Sequence, residues 1–557
     1  MNAAQQSAGN AVSRSALWFP LYAAVAIFAA EFCWIAGHRG LFLIDQSILF
    51  DGAWRVVQGQ AQYRDFFSAF PPVAFLIQAF FFRLFGVTFS ATVIAAAFLN
   101  FVATISVMYL VLRMLPRQKA CAVAAGLLTA VWFQAPFGML WFEQTAFAFN
   151  LVALTLIVQA SGKDRASASA VRIVAGVLLG ASVLSKQNAG IEFLPFALGL
   201  TVISDIRRPG RALRMAGHVL TGMLLTGGAL VVWLWKDSSL TVFWRDYFMM
   251  ATQIASDRSP SVLQLAQLLL VRIIAPRHML ALLALGLVQF SRKSPTETPN
   301  YLLTRGIAIS LIVYQALFIL HSYNEEENAV PYLGIIYGLA LALLLERSGP
   351  WIDARIKVAD RSAARVVVGL LATLVFGLVF IDGLANSWYR TVQKFDAQTR
   401  FTEFVNAPGL SRVLWGNPTK AAPPNIRPVF LDRRDFENLN EFLTASNANF
   451  FVFKDATMLY GLHHRISPQP WLYFSPGHGF RNDELPRVDA AVVESLQHNN
   501  VEIIIVEKET WVDFGLLDRM PQLLAFIARD FEKVREFGIY EAYRRKTLQA
   551  GSVHDLP

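Results

Sequence analysis

Several side chains of this 557-residue chain stand out for the chemistry their types allow. Asp45, Asp65 and Glu143 are carboxylates next to long apolar runs, and Arg64, Lys186 and Arg245 are cations in the same setting. His321 and Tyr323 flank Ser322 at the end of another apolar run. A carboxylate set against a weak nucleophile such as a hydroxyl takes its proton in the transition state, which typically contributes about 10²–10⁴-fold. A lysine or arginine set against phosphate oxygens offsets the charge that builds on a leaving group. Ionisable groups at membrane depth are expensive and tend to mark sites or pathways. Each residue also has a plain structural reading. Lys186 can snorkel from a span end to the headgroups, Asp45 can cap a helix, and a lone His321 is ordinary at a span end. Glu325–Glu327 reads equally as a solvated loop.

These residues must be positioned by membrane helices. Hydrophobic residues make up 55% of the chain and charged ones 16%, with a mean hydropathy of +0.42; soluble domains run nearer a quarter charged. A span needs roughly 20 apolar residues to cross about 30 Å of hydrocarbon. Candidate spans are Leu17–Ile35, Phe89–Met114, Ala120–Leu140, Thr145–Ala160, Ile173–Ser185, Ile191–Ser204, Met215–Trp235, Met279–Phe290, Gly306–Leu320, Pro331–Leu345 and Val366–Ile381. The two cysteines, Cys33 and Cys121, lie in apolar runs and have neither disulfide nor metal spacing. The net charge of +9 is read by position first, which leaves nucleic acid a poor partner.

Arg14 precedes the first span, and every second connection after it is basic: Arg113–Lys119, Lys163–Arg172, Arg207–Arg214, Arg292–Lys293 and Arg355–Arg365. Basic loops mark the cytoplasmic side. The N-terminus is therefore expected inside, and the first loop (37–88) and the C-terminal tail outside. Pro72–Gly86 would invert this order if it spanned. At 1.5 Å per residue it reaches only about 22 Å, so it reads as a juxtamembrane or re-entrant helix. In Asp45–Gly59, Ser47, Asp51, Arg55 and Gln58 share one helical face, and Leu49, Phe50, Ala53, Trp54 and Val57 another. This predicts an amphipathic helix in the interface, with Asp51 and Arg55 as an i,i+4 surface pair.

The tail, 387–557, is more polar. Asp435–Ala445 and Ala490–His498 read as helices, Phe450–Phe453 and Val501–Val506 as strands, and Pro423-Pro424 lies in the linker before them. That alternation predicts a small α/β domain. Trp471, Tyr473, Pro476 and Gly477 form a loop that either packs or touches a sugar or the membrane surface. His463-His464 lacks further metal spacing. No phosphate loop, dinucleotide fingerprint or nucleophile elbow is present, which argues against cytoplasmic nucleotide-sugar chemistry. The fold class is a polytopic α-helical membrane protein of about eleven spans with outer juxtamembrane helices and a C-terminal extracytoplasmic α/β domain.

The first loop resembles that of the polytopic GT-C glycosyltransferases, the superfamily of protein O-mannosyltransferases and lipid A aminoarabinose transferases, and in its spacing the bacterial branch. The resemblance rests on Asp45, Gly59, Tyr63-Arg64-Asp65-Phe66-Phe67, Pro71-Pro72 and Leu84-Phe85-Gly86. Leu184–Asn188, His321-Ser322-Tyr323 and Pro331 add weaker elements, and the likeness covers roughly Leu17–Ile381.

The resemblance implies transfer of a sugar from a polyprenyl-phosphate donor to a lipid, glycan or protein acceptor, at the outer face of a bacterial inner membrane. It implies Asp45 as base or acceptor-orienting group, with Asp65 or Glu143 as substitutes. The family often has Asp-Glu where this chain has Asp45-Gln46, so cofactor use, a divalent cation included, stays open. Chemistry makes Lys186 and Arg64 the leading phosphate partners, with Arg245 behind them and His321 and Tyr323 as further substrate contacts. A transporter or flippase of lipid-linked saccharides is the alternative; such proteins place polar residues at the midplane of broken helices, whereas here they gather at outer loops.

Overall fold

The computed structural model describes residues 18–41, 43–134, 138–237, 239–250, 301–322, 332–389, 400–417, 432–477, 479–508 and 515–546, with isolated positions between 252 and 267. Among the described residues, twelve long helices come first: α1 (Trp18–Gly37), α2 (Leu43–Val57), α3 (Pro72–Phe85), α4 (Phe89–Met114), α5 (Lys119–Trp132), α6 (Phe142–Ala160), α7 (Ala166–Val183), α8 (Gln187–Ile203), α9 (Pro209–Lys236), α10 (Tyr301–Ser322), α11 (Leu333–Arg355) and α12 (Arg361–Tyr389). Ten of the eleven expected spans are helices. The eleventh, Met279–Phe290, lies outside the described residues, as do Tyr323 and Glu325–Glu327. Among the described residues, seven helices are long and apolar enough to cross a membrane: α1, α4, α6, α7, α9, α11 and the run Val358–Trp388 that overlaps α12. The apolar stretches in α3, α5 and α10 are shorter.

Apolar sequence alone gives no reason for helices to associate in lipid, so close backbone approach matters. α7 and α9 cross at glycines. A methyl on Gly176 would overlap the Val219 carbonyl, and one on Gly222 would overlap that of Ile173. α4 offers Ala91, Ala95, Ala96 and Ala103, all fully buried, to its neighbours. Asn100, also buried there, donates from Nδ2 to the carbonyls of Ala29 and Ala130, each at 2.9 Å, so its amide ties α1, α4 and α5 together.

The tail begins with an antiparallel pair, β1 (Arg400–Phe404) and β2 (Leu414–Asn417). After α13 (Arg433–Ser446) come β3 (Phe450–Phe453), the short α14 (Met458–Leu462), α15 (Leu485–His498), β4 (Ile503–Glu507), α16 (Pro521–Asp530) and the strands β5 (Phe531–Phe537) and β6 (Tyr540–Arg545). The sheet order is β3-β4-β6-β5. β3 and β4 are parallel, joined through α15, and the β5–β6 hairpin adds antiparallel to β4. β3 falls where the sequence predicts it, and β4 starts two residues later.

The tail domain sits on the first loop. Gly40 N–H donates to the Leu414 carbonyl (2.8 Å), Phe67 N–H to that of Pro470 (2.9 Å) and Phe89 N–H to that of Gly409 (3.0 Å). This contact corrects the interfacial reading of α2. Asp51 and Arg55 pair at 3.0 Å as i,i+4 spacing predicts, but both are fully enclosed. The polar face that periodicity assigns to solvent is covered by the segment 465–471. Arg55 donates to the carbonyls of Gln469 (2.8 Å) and Trp471 (3.3 Å), and Trp54 Nε1 donates to that of Arg465 (2.6 Å). The Trp471–Phe480 loop packs inward, with Trp471, Leu472, Phe474 and Phe480 buried.

Candidate active site

The end of the bundle that carries the tail domain gathers most of the candidate residues. Glu143 lies in the first turn of α6, where a carboxylate is favoured by the helix dipole. Lys186 lies in the three-residue turn between α7 and α8, at the N-cap of α8 in extended conformation. Their side chains meet: Lys186 Nζ is 2.8 Å from Glu143 Oε1, with 18% of the lysine side chain and 3% of the glutamate exposed. The turn is fixed from below. The Ala189 carbonyl, in the first turn of α8, accepts from Tyr314 Oη (2.7 Å) and Asn150 Nδ2 (3.2 Å). It is fixed from the side as well, because Val73 N–H, at the start of α3, donates to the Leu184 carbonyl at 2.9 Å.

An aromatic wall closes one side of the ion pair. Lys186 Nζ stands 5.0 Å from the centroid of the Phe70 ring, within cation–π range. Phe70 stacks on Phe142 at 4.1 Å with planes 9° apart, and Phe142 meets Phe75 edge-on at 5.2 Å. The Phe70 carbonyl accepts from Gln62 Nε2 (2.7 Å) and Tyr63 Oη (3.1 Å). Tyr63 has φ of +70°, a conformation unusual for a side-chain-bearing residue. The motif Tyr63-Arg64-Asp65-Phe66-Phe67 is thus a tight turn that holds Phe70 against Lys186. Sequence reasoning singled out Tyr63 and Pro71 but missed Phe70, Gln62 and Phe142. Phe70 directly precedes Pro71-Pro72, a position that the proline holds extended, and that was its one visible signal.

Arg64 and Asp65 have a different setting. Arg64 Nη2 is 2.7 Å from Asp65 Oδ2 and Nε is 2.9 Å from Oδ1, a two-pronged exposed pair. Asp65 Oδ2 also accepts from Ala61 N–H at 2.7 Å, closing the turn. The hydrogen bonds from Arg64, foremost, hold the Asp65 carboxyl below its ordinary range. Arg64 reaches towards Asp237 at 3.9 Å. Arg245 is exposed on the π-helical turn Phe243–Phe248, in which the rings of Phe243 and Tyr247 stack on each other at 4.8 Å. Tyr63 packs on those two rings at 5.1 and 5.7 Å.

Asp45 lies in the first turn of α2, two residues after the helix begins, and is half-buried. Gln46 and Ser47 beside it are fully buried. The segments leading to Asp45 and Glu143 start side by side, since a methyl on Gly37 would strike the Gly138 carbonyl oxygen. His321 falls in the last turn of α10. Among the described residues, no three His, Cys, Asp or Glu side chains form a group that would hold a metal ion.

Residues 70–235 match the family model described as dolichyl-phosphate-mannose-protein mannosyltransferase. The matched stretch holds Phe70, Glu143 and Lys186, while Asp45, Arg64 and Asp65 precede it. The whole chain shares its fold with ArnT from Cupriavidus metallidurans. The structure bound to undecaprenyl phosphate superposes with a TM-score of 0.52 at 13% identity, over 96% of this chain and 99% of that one. The apo structure gives 0.52 at 14% identity, over 95% and 98%. No curated protein sequence matches the chain. The family match thus covers residues 70–235, and the chain as a whole is a polytopic membrane protein with an ArnT-like fold.

Proposed function

We propose that this protein moves a sugar from a polyprenyl-phosphate donor to an acceptor hydroxyl on a lipid, glycan or protein, at the outer face of a bacterial inner membrane. The orientation rests on the alternating basic connections, which put the N-terminus in the cytoplasm and the tail domain outside. The donor class rests on the family match and on the undecaprenyl phosphate named for the ArnT structure.

The observation that carries the mechanism is the Glu143–Lys186 pair beneath Phe70. A lysine held by a nearly buried carboxylate, yet still partly open, is a pre-oriented cation for a lipid phosphate. In the reaction the acceptor oxygen forms a bond to the anomeric carbon as the carbon–oxygen bond to the donor phosphate breaks. The acceptor proton goes to the Asp45 carboxylate. The electron pair leaves with the polyprenyl phosphate, whose growing charge Lys186 offsets. Attack opposite the leaving group inverts the sugar centre. Glu143 fixes Lys186 in this scheme. Arg64 and Arg245 offer charge at the same end of the bundle, and Asp65, tied to Arg64 and the Ala61 amide, shapes the loop.

The test is sugar transfer by the purified protein, with radiolabelled polyprenyl-phosphate sugars and a membrane lipid and glycan extract, comparing wild type with Asp45→Asn. Transfer by wild type alone supports both enzyme and base. Transfer by both removes Asp45 as base and leaves Glu143 or Asp65. Labelled lipid bound without transfer by either overturns the enzyme in favour of a carrier.

A further inference from the structure

The clamp on the far end of α2 has no part in the chemistry above, yet it grips the helix that carries Asp45. Arg55 is ten residues after Asp45, so at 1.5 Å per residue the two stand about 15 Å apart along one rod. Three guanidinium nitrogens serve three acceptors: Nε the Asp51 carboxylate at 3.0 Å, Nη1 the Gln469 carbonyl at 2.8 Å and Nη2 the Trp471 carbonyl at 3.3 Å. The receiving loop is built for this. Gln469 Nε2 donates to the same Trp471 carbonyl at 2.6 Å, and its Oε1 accepts from Trp471 N–H. Neighbouring contacts follow the same seam. Trp54 meets His464 edge-on at 5.6 Å, and a methyl on Gly461 would strike Phe50. On its other side α2 is seated on α3, where Phe75 fills the space above Gly52.

We propose that Arg55 is a positioning residue through which the tail domain holds α2, and so sets where Asp45 stands over the bundle. The inference rests on the function proposed above and adds a dependence of the membrane site on the tail domain. A planar fork with fixed donor directions suits three separate acceptors, whereas a lysine ammonium does not reproduce it. The Asp51 carboxylate holds the fork from within the helix, so loop and helix share one charge pair. Misplacing a reacting group by about 1 Å costs on the order of 100-fold, so a loosened α2 lowers turnover more than it weakens donor binding.

The test uses the full-length protein in nanodiscs as wild type, Arg55→Gln, Arg55→Lys and Gln469→Ala. Each is followed by hydrogen exchange and by transfer kinetics. In R55Q, amides of Leu43–Ile48 are expected to exchange about tenfold faster or more. kcat is expected to fall about 10- to 100-fold, with the donor KM within about threefold. R55K falls between R55Q and wild type, and Q469A, which leaves the ion pair whole, gives the same signature more weakly. Wild-type kcat in R55Q overturns the inference. So does loss of kcat with unchanged exchange across Leu43–Val57, or a loss carried mainly by donor KM. If R55Q does not fold, Q469A with wild-type exchange and kcat overturns it as well. Failure of wild type to transfer sugar would sink the proposed function instead, and unchanged exchange in R55Q would then still dismiss the clamp.

Discussion

Two ion pairs at the domain-bearing end of the bundle, Asp51–Arg55 and Glu143–Lys186, make opposite use of charge. Asp51–Arg55 is closed: its side chains are 0% and 1% exposed, and the guanidinium is taken up by three protein oxygens. Glu143–Lys186 is open on one side, with the lysine facing an aromatic ring and 18% exposed. A closed pair presents no solvent-facing group to a ligand and acts on structure. A partly open one keeps a cation oriented and accessible. Burial of the charges, more than their separation, divides a fastening from a site.

The sharpest break in this comparison comes from removing one partner of the closed pair. Asp51→Ala leaves the Arg55 charge buried without its carboxylate, a change that typically costs about 3–5 kcal/mol. Thermal unfolding in detergent is expected to show a large fall in Tm, whereas Glu143→Gln, beside a partly solvated lysine, lowers it less. Equal shifts for the two would erase the distinction. The open pair should dominate activity. Lys186→Ala is expected to lower kcat by about 10²–10³, the range for losing one group that stabilises developing charge, measured as initial rates of sugar transfer at saturating donor. An effect confined to KM would mean that Lys186 binds donor and transition state alike.

A pH series separates the pairs more finely. Burial, as the largest cause, raises the Asp51 carboxyl to about 6 against the opposing pull of Arg55. Tyr460, from α14, also interacts with it. The folded protein therefore holds a proton on Asp51 that the unfolded chain has lost. The associated stability is fully present below the ordinary carboxylate pKa near 4 and disappears as pH rises through about 6. Wild type is expected to lose Tm relative to Asp51→Asn between pH 4 and pH 7. Parallel curves for the two would show that Asp51 does not titrate in that window.

Much of this arrangement was legible in the chain itself. Phe89–Met114 and Phe450–Phe453 have the predicted limits because each is a predominantly apolar run between clear breaks. Glu143 and Lys186 were both visible as charges at span ends, but their meeting was not, since 43 residues separate them and only tertiary packing brings two turns together. Periodicity found the face shared by Asp51 and Arg55, yet it has no means of knowing that a segment about 410 residues later covers that face. The β5 strand escaped notice for a different reason. Five successive residues between Phe531 and Phe537 are exposed, so the sheet-edge strand lacks alternation, and charges such as Glu532, Lys533 and Glu536 suit an edge that must not pair further.

The smallest effect is expected at the third pair, which calibrates the other two. Arg64 and Asp65 are 46% and 30% exposed, and their two hydrogen bonds face solvent. Solvent and salt screen such a pair, so Arg64→Ala is expected to change stability by less than about 1 kcal/mol. The Ala61 amide still holds Asp65 in that variant and keeps the turn closed. Any loss of transfer would then report charge offered to substrate, not a collapsed loop. A rise in donor KM that disappears as ionic strength rises in both proteins would place Arg64 in long-range attraction of the anionic donor, since exposed charges are screened within about 10 Å at 0.1 M salt. A loss that persists at high salt would place it in direct contact with the phosphate, and would make Arg64 a second open cation beside Lys186.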